Sequence, residues 1–203
     1  MFTIQSPLFA ASLSELRPTQ ITVGFAEVER KRKHWAQLKR SERRKRMCEE
    51  LFPAVKGPRG GLYILDHHHA ALALKQEGAD RVQVGLVKDL SQLSDAAFWI
   101  FLDHFSWVHA YDARGRRRDL ADVPQRLEDM RDDPFRSFAS DVRGAGGFSK
   151  PAEPFQEFLW ANFFRDAFPL RSIRTKRDKT LKKALELAKS AAAQHLPGWS
   201  GKA

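Results

Sequence analysis

Apolar residues two apart mark the early part of the chain. Ile21, Val23 and Phe25 alternate with Thr22 and Gly24, just after an Arg17-Pro18 step whose proline pushes Arg17 toward extended angles, and this pattern predicts a short strand. From Ala26 the period becomes that of one highly charged helix running through Arg46, with only Val28, Trp35 and Leu38 on its apolar side. Pro53 and the "KGPRGG" cluster predict a turn, and "LYIL", Leu62 to Leu65, reads as a buried strand. His67 to Glu77 has a helical composition and stops at Gly78. Val82, Val84 and Leu86 then share one face of a further strand. Strand, tight turn, short helix and strand predict a mixed core of the α+β or α/β kind.

Beyond Leu90 the helical period takes over. Ser94 and Asp95 open a helix whose stripe is Phe98, Phe101, Leu102, Phe105 and Val108. Two short helices flank a glycine-rich loop between Arg131 and Phe168, and Leu181, Ala184, Leu185, Ala188 and Ala192 line a last helix that ends at Pro197-Gly198. The expected organisation is a core over residues 13–90 with a helical region over 91–197 packed on it.

Composition narrows the class. Apolar residues make up 42 % of the 203 positions and charged residues 30 %, the balance of a globular protein. The formal net charge of +10 favours polyanionic partners such as nucleic acid, nucleotides or anionic lipid. A single cysteine, Cys48, rules out an intrachain disulfide and a cysteine-rich zinc site. The first residues lack the basic opening of a signal peptide, and no apolar run is long enough to cross a bilayer, so the expected location is the cytoplasm, without membrane contact.

The stretch "LYILDHHHAALALKQEG" concentrates the candidate chemistry. A helix that starts directly after a buried strand presents unpaired N–H groups and the positive end of its dipole, where a phosphate can dock. Asp66 stands at the N-cap position, with His67, His68 and His69 in an exposed first turn able to donate to phosphate oxygens or to move a proton near neutral pH. The plainer reading is a capped helix with two imidazoles in solvent and one packed. Adjacent histidines point about 100° apart on a helix, so the three cannot share one metal ion. In the other direction along the chain, Arg30 to Arg46 holds ten Lys or Arg residues, with Arg43, Arg44, Lys45 and Arg46 as its densest run. Such a run is either a solvated face or a sequence-independent nucleic-acid contact.

The pair "LRPTQITVGFAEVERK" and "LYILDHHHAALALKQEG" resembles the two motif boxes of the ParB/sulfiredoxin superfamily, and most closely its ParB-like nuclease branch. "DDPFRSFASDVR" and "PFQEFLWANFFR" resemble the C-terminal half of that branch. The resemblance implies an α+β, ParB/sulfiredoxin-like mixed core with a mainly helical C-terminal half, and a second box that cradles nucleotide phosphates. Asp66, His68 and His69 match the Asp and paired His of the superfamily's kinase-like members. His67 stands in place of their glycine, and Ala70 in place of their phosphate-gripping arginine. Glu27 falls where those members carry a general-base glutamate, with Glu29 as the alternative, and Lys31 lies one helical turn beyond it.

The expectation is therefore a ParB-like protein that binds a nucleotide or nucleic-acid phosphate through His67, His68, His69 and Lys31. Glu27, His68 and Asp66 are its catalytic candidates, should it act as a phosphotransferase or nuclease. ATP, ADP or CTP with Mg²⁺ would be the cofactors, the ion being held by Asp66 or Glu27 and by substrate oxygens. The alternative is a non-catalytic DNA-binding or regulatory module of chromosome-partitioning type that binds through its basic surface. Neither the identity of a metal nor the oligomeric state is legible.

Overall fold

In the computed structural model, which describes residues 2–4, 8–150 and 154–201 apart from the side chains at positions 44 and 48, the fold is α+β with a helical C-terminal half. The strands are β1 (Phe9–Ser12), β2 (Leu16–Arg17), β3 (Thr22–Val23), β4 (Leu51–Lys56), β5 (Leu62–Ile64), β6 (Arg81–Asp89) and β7 (Arg131–Asp132). Five of them form one sheet in the order β1-β6-β4-β5-β2, while β3 pairs in parallel with β7. Pro53 lies inside β4 rather than at a turn. Its carbonyl accepts from the Leu65 N–H at 2.8 Å, just beyond the pairing of β4 with β5, so the missing proline N–H falls where that ladder has ended.

Val82 and Val84 are buried on one face of β6 as expected. The register against β4 shifts after Ala54, however, so Leu86 is only half-buried and Val87 packs into the apolar cluster on the other side.

The expected single basic helix is two: α1 (Phe25–Gln37) and α2 (Arg40–Glu49). Phe25, expected in a strand, opens α1 and is exposed. Leu38 and Lys39 are extended, and the Glu42 carboxylate accepts the Lys39 N–H at 2.7 Å, starting a new helix where the propensity of the surrounding residues alone would have continued the old one.

The tight turn after β5 leads into α3 (His68–Gln76), which Gly78 closes in the left-handed conformation at φ +73°. The helices of the second half are α4 (Asp95–His104), α5 (Pro134–Gly144), α6 (Glu157–Ala167), α7 (Leu170–Thr175) and α8 (Arg177–Lys189). Ser94 caps α4 by accepting from the Ala97 N–H. The α4 stripe stops at Leu102, because Ser106 takes a positive φ; Phe105 is left exposed and Val108 lies beyond the helix. Likewise α8 ends at Lys189, and Ala193, not Ala192, faces inward.

Two apolar clusters pack on the two faces of the sheet, one beneath α1 and α3 and the other beneath α4; a third holds α5, α6 and α8 together around Trp160 and Phe164. Gly24 is what lets α1 meet α5. A Cβ at this position would come within 2.7 Å of the Ser137 backbone nitrogen, so only glycine allows the two chains to approach this closely. That approach brings the first turn of α1 against the second half of the protein.

Candidate functional site

Two imidazoles tie the segment leading into α1 to the start of α3. His68 Nε2 accepts the Thr19 N–H at 3.1 Å, and His69 Nε2 accepts the Gly24 N–H at 2.9 Å. The rings are therefore not exposed as expected: His68 is 2 % and His69 8 % accessible. Because each Nε2 is an acceptor, both rings are neutral with the proton on Nδ1. Burial pushes His68 and His69 down to about 3, in agreement with the hydrogen bonding.

Asp66 is not the N-cap. That position belongs to His67, in the left-handed conformation at φ 64°, while Asp66 accepts the His67 N–H at 2.6 Å and remains exposed. The position where the kinase-like members carry glycine is thus filled by a residue that keeps a glycine-like backbone. The His67 ring rests edge-on against Phe52, with Nδ1 3.5 Å from Glu50, and this pairing lowers the Glu50 carboxyl. A left-handed non-glycine residue costs on the order of 1 kcal/mol, and these contacts hold it in place.

Glu27 lies in the first turn of α1 and reaches the histidine turn at His69, not His68: its Oε2 is 3.6 Å from His69 Nε2. Its principal partner is Arg136 of α5, which donates to Glu27 Oε2 at 3.0 Å and to Glu157 Oε2 at 2.5 Å. Arg143 donates to the other oxygen of Glu157 at 2.5 Å, and the Arg136 guanidinium lies 5.4 Å from the centre of the Phe158 ring. Burial pushes the Glu27 carboxyl up; His69 and Arg136 pull it down further, to about 2. Since His69 is neutral above the acid range, Arg136 is the partner that acts at neutral pH. A carboxylate held this low is a poor proton acceptor, so its surroundings suit a fixed counter-ion to Arg136 rather than the general base expected from its position.

A cavity of about 680 Å³ opens at this turn, lined among others by His67, His68, His69, Arg136, Lys150 and Glu157. Among the described residues the N–H groups of His68, His69 and Ala70 have no hydrogen-bond partner, and Arg136 Nε is buried without one. Arg136 is the arginine that lines this cavity, with Ala70 where the kinase-like members carry theirs. It comes from a distant segment, and the signal for it was an arginine within "DDPFRSFASDVR", where Phe135, Phe138, Ala139 and Val142 mark a buried helix. Lys31 is elsewhere: with Arg30, His34, Arg46 and Glu50 it lines a separate pocket of about 330 Å³ on the other side of Glu27. Among the described residues no three His, Cys, Asp or Glu side chains gather to hold a metal ion.

The basic run serves the fold first. Arg43 donates to the carbonyls of Trp35, Ala36 and Leu38 and so caps the end of α1, instead of standing ready for phosphates. Lys45 is 3.7 Å from Glu49, Arg30 pairs with Asp141 at 2.9 Å, and Arg32 bridges Glu29 and Glu77. Arg44 lies on α2, its side chain outside the described set. Among the described residues Lys31 and Arg46 have no ion-pair partner.

Residues 9–166 match the family described as "Putative ParB-like nuclease", a span that includes the histidine turn, Glu27, Arg136 and Glu157. The fold is similar to the crystal structure of protein Atu1540 from Agrobacterium tumefaciens, with 41 % identity, a TM-score of 0.89, and coverage of 98 % of this chain and 100 % of that one. No curated protein matches the sequence.

Proposed function

The chain belongs to this ParB-like nuclease family, and from that premise we propose that it binds a phosphate group of a nucleotide or nucleic acid in the cavity at the histidine turn. One observation supports this above the others: His68 and His69, whose N–H groups at the start of α3 have no partner among the described residues, line a cavity together with Lys150 and with Arg136, a guanidinium only 7 % exposed. A helix start combined with a buried guanidinium is a common arrangement for anions.

The surroundings favour binding over turnover. Burial and the neighbouring charges together leave Glu27 at about 2 and His68 and His69 near 3, away from the neutral range where general acid–base catalysis is most effective. Asp66, exposed at the cavity, is the carboxylate left to meet a cation brought in on substrate phosphates, and phosphotransfer or phosphodiester cleavage would depend on it.

Thermal shift with ATP, ADP, CTP and DNA tests the proposal, since a ligand selective for the folded state raises its melting temperature. Lys150, exposed on the rim, is the residue to vary. Lys150→Glu should abolish nucleotide-induced stabilisation without lowering the melting temperature of the unliganded protein. An unchanged ligand response in that variant and in Arg136→Lys would overturn the assignment. A second reading, sequence-independent contact with duplex DNA, has its support in the basic pocket of Lys31 and Arg46, and binding that survives Lys150→Glu would favour it.

A further inference from the structure

A larger cavity, of about 770 Å³, adjoins the histidine cavity along Phe2, Pro154, Phe155 and Phe158. Its walls are aromatic: Phe101, Phe105, Trp107, Tyr111, Phe155 and Phe158 all line it. The rings already stand in a graded series. His109 stacks on Phe158 at 4.0 Å and on Tyr111 at 4.6 Å, while Phe155 lies 5.5 Å from His109 on one side and 6.2 Å from His68 on the other. Phe155 therefore stands between the two chambers, and it is held there at φ 62°, a left-handed conformation that a bulky residue adopts only under constraint. Two of the lining side chains, Phe105 and Leu159, are large apolar groups left exposed, 55 % and 47 % respectively.

We infer that this aromatic chamber is a nucleobase subsite, receiving the base of a nucleotide whose phosphate sits at the histidine turn. The inference rests on the phosphate reading of the neighbouring cavity and adds the chemical class of what is attached to that phosphate. Three features select a base over another occupant. Aromatic walls stack on the π-face of any base. Apart from Lys88 and the neutral His109, the chamber is lined by uncharged residues, which suits a neutral heterocycle and not a second phosphate. At its edge Asn162, whose carbonyl oxygen is taken by Arg165, keeps its amide N–H groups to donate, and Gln156 offers both a donor and an acceptor. Phe2, Pro154, Phe155 and Phe158 line both cavities, so the phosphate end and the aromatic end share one wall, past which a ribose would carry the base.

Calorimetric titration with adenosine 5′-monophosphate, cytidine 5′-monophosphate, ribose 5-phosphate and free adenosine separates the two halves of the argument. The nucleotides should bind roughly tenfold or more tightly than ribose 5-phosphate, with quenching of Trp107 fluorescence that is absent in Trp107→Phe. Phe105→Ala, a change at a ring that is 55 % exposed but stacks on Phe101 at 4.4 Å, should lower the melting temperature only slightly, reduce nucleotide affinity toward that of ribose 5-phosphate and leave ribose 5-phosphate itself unaffected. Equal affinity for nucleotide and ribose 5-phosphate would overturn the base subsite while sparing the phosphate site. Adenosine binding that Phe105→Ala abolishes, in the absence of any phosphate dependence, would support the base subsite and overturn the phosphate site. An apolar dye that occupies the chamber and is not displaced by any nucleotide would mark it as a docking face for another apolar partner and remove the proposal.

Discussion

The histidine turn and the α1–α2 arm are both dense in polar side chains, but they use them in opposite ways. At the turn, buried rings accept specific backbone N–H groups and a buried guanidinium links two carboxylates, so each group has a fixed position. On the arm, cations pair with acids one turn away or with neighbouring helices, mostly open to water. The difference teaches that density of charge is a weak guide to a site, whereas polar groups removed from water are costly to place and define its geometry.

The sharpest way to break this comparison is to remove Arg136. Arg136→Met should destabilise the protein by roughly 3–5 kcal/mol in urea denaturation, because Glu27 is left buried without a cationic partner and Glu157 keeps only Arg143. Adding Glu27→Gln should recover part of the loss. A cost under about 1 kcal/mol would mean that water reaches the pair and that the turn is no more fixed than the arm.

Next in size are the pinned imidazoles. His68→Ala should cost about 1–3 kcal/mol for the stranded Thr19 N–H, in addition to the cavity left behind. The same residues set an acid limit. With folded values near 3 against 6.5 in the unfolded chain, the unfolded state binds more protons between those limits, so stability is lost as pH falls from about 6.5 toward 3. Glu27, lowered from 4.5 to about 2, acts in the same direction: its contribution is present above about 4.5 and disappears as pH falls through about 2. Melting temperatures across this range should decline more gently in His69→Gln, and an identical slope would show that the rings are not held neutral.

On the arm, Arg43→Ala should cost on the order of 1 kcal/mol through the uncapped α1 carbonyls and leave the salt dependence of duplex binding unchanged. Smallest for stability is the pair Lys31→Glu with Arg46→Glu, expected within about 0.5 kcal/mol of the parent. If the arm meets DNA, this pair is where the dependence of affinity on log salt should flatten, by about 0.9 for each phosphate no longer neutralised. A steeper loss with Arg43→Ala would reverse the roles given to these residues.

Local pattern made the strand, turn and helix around the histidines legible, because β5, α3 and Gly78 each follow from a few adjacent residues. Pro53 misled because an edge of pairing, fixed by a distant strand, decides whether a proline is tolerated. The break at Leu38-Lys39 was hidden among good helix formers and depends on the reach of Glu42 and Arg43 to backbone groups. Of the site, the turn itself was legible, along with the nearness of Glu27 to it. Arg136 and Lys150 were not, since nothing in a linear pattern states which buried helix ends beside which turn. Even the burial of His68 and His69 depends on Thr19 and Gly24, residues more than forty positions away.

The chain of charges from Glu27 through Arg136 and Glu157 to Arg143 also limits how this architecture can be recombined. One carboxylate belongs to the first box and its counter-charge to the second half, so neither half is a self-contained cassette. A chimera joining residues 1–90 of this protein to the helical half of a relative without an arginine at the position of Arg136 would inherit a buried anion with no partner. Exchange between such proteins would have to move the two segments together, and a family resemblance confined to the histidine box would not be enough to transplant the site.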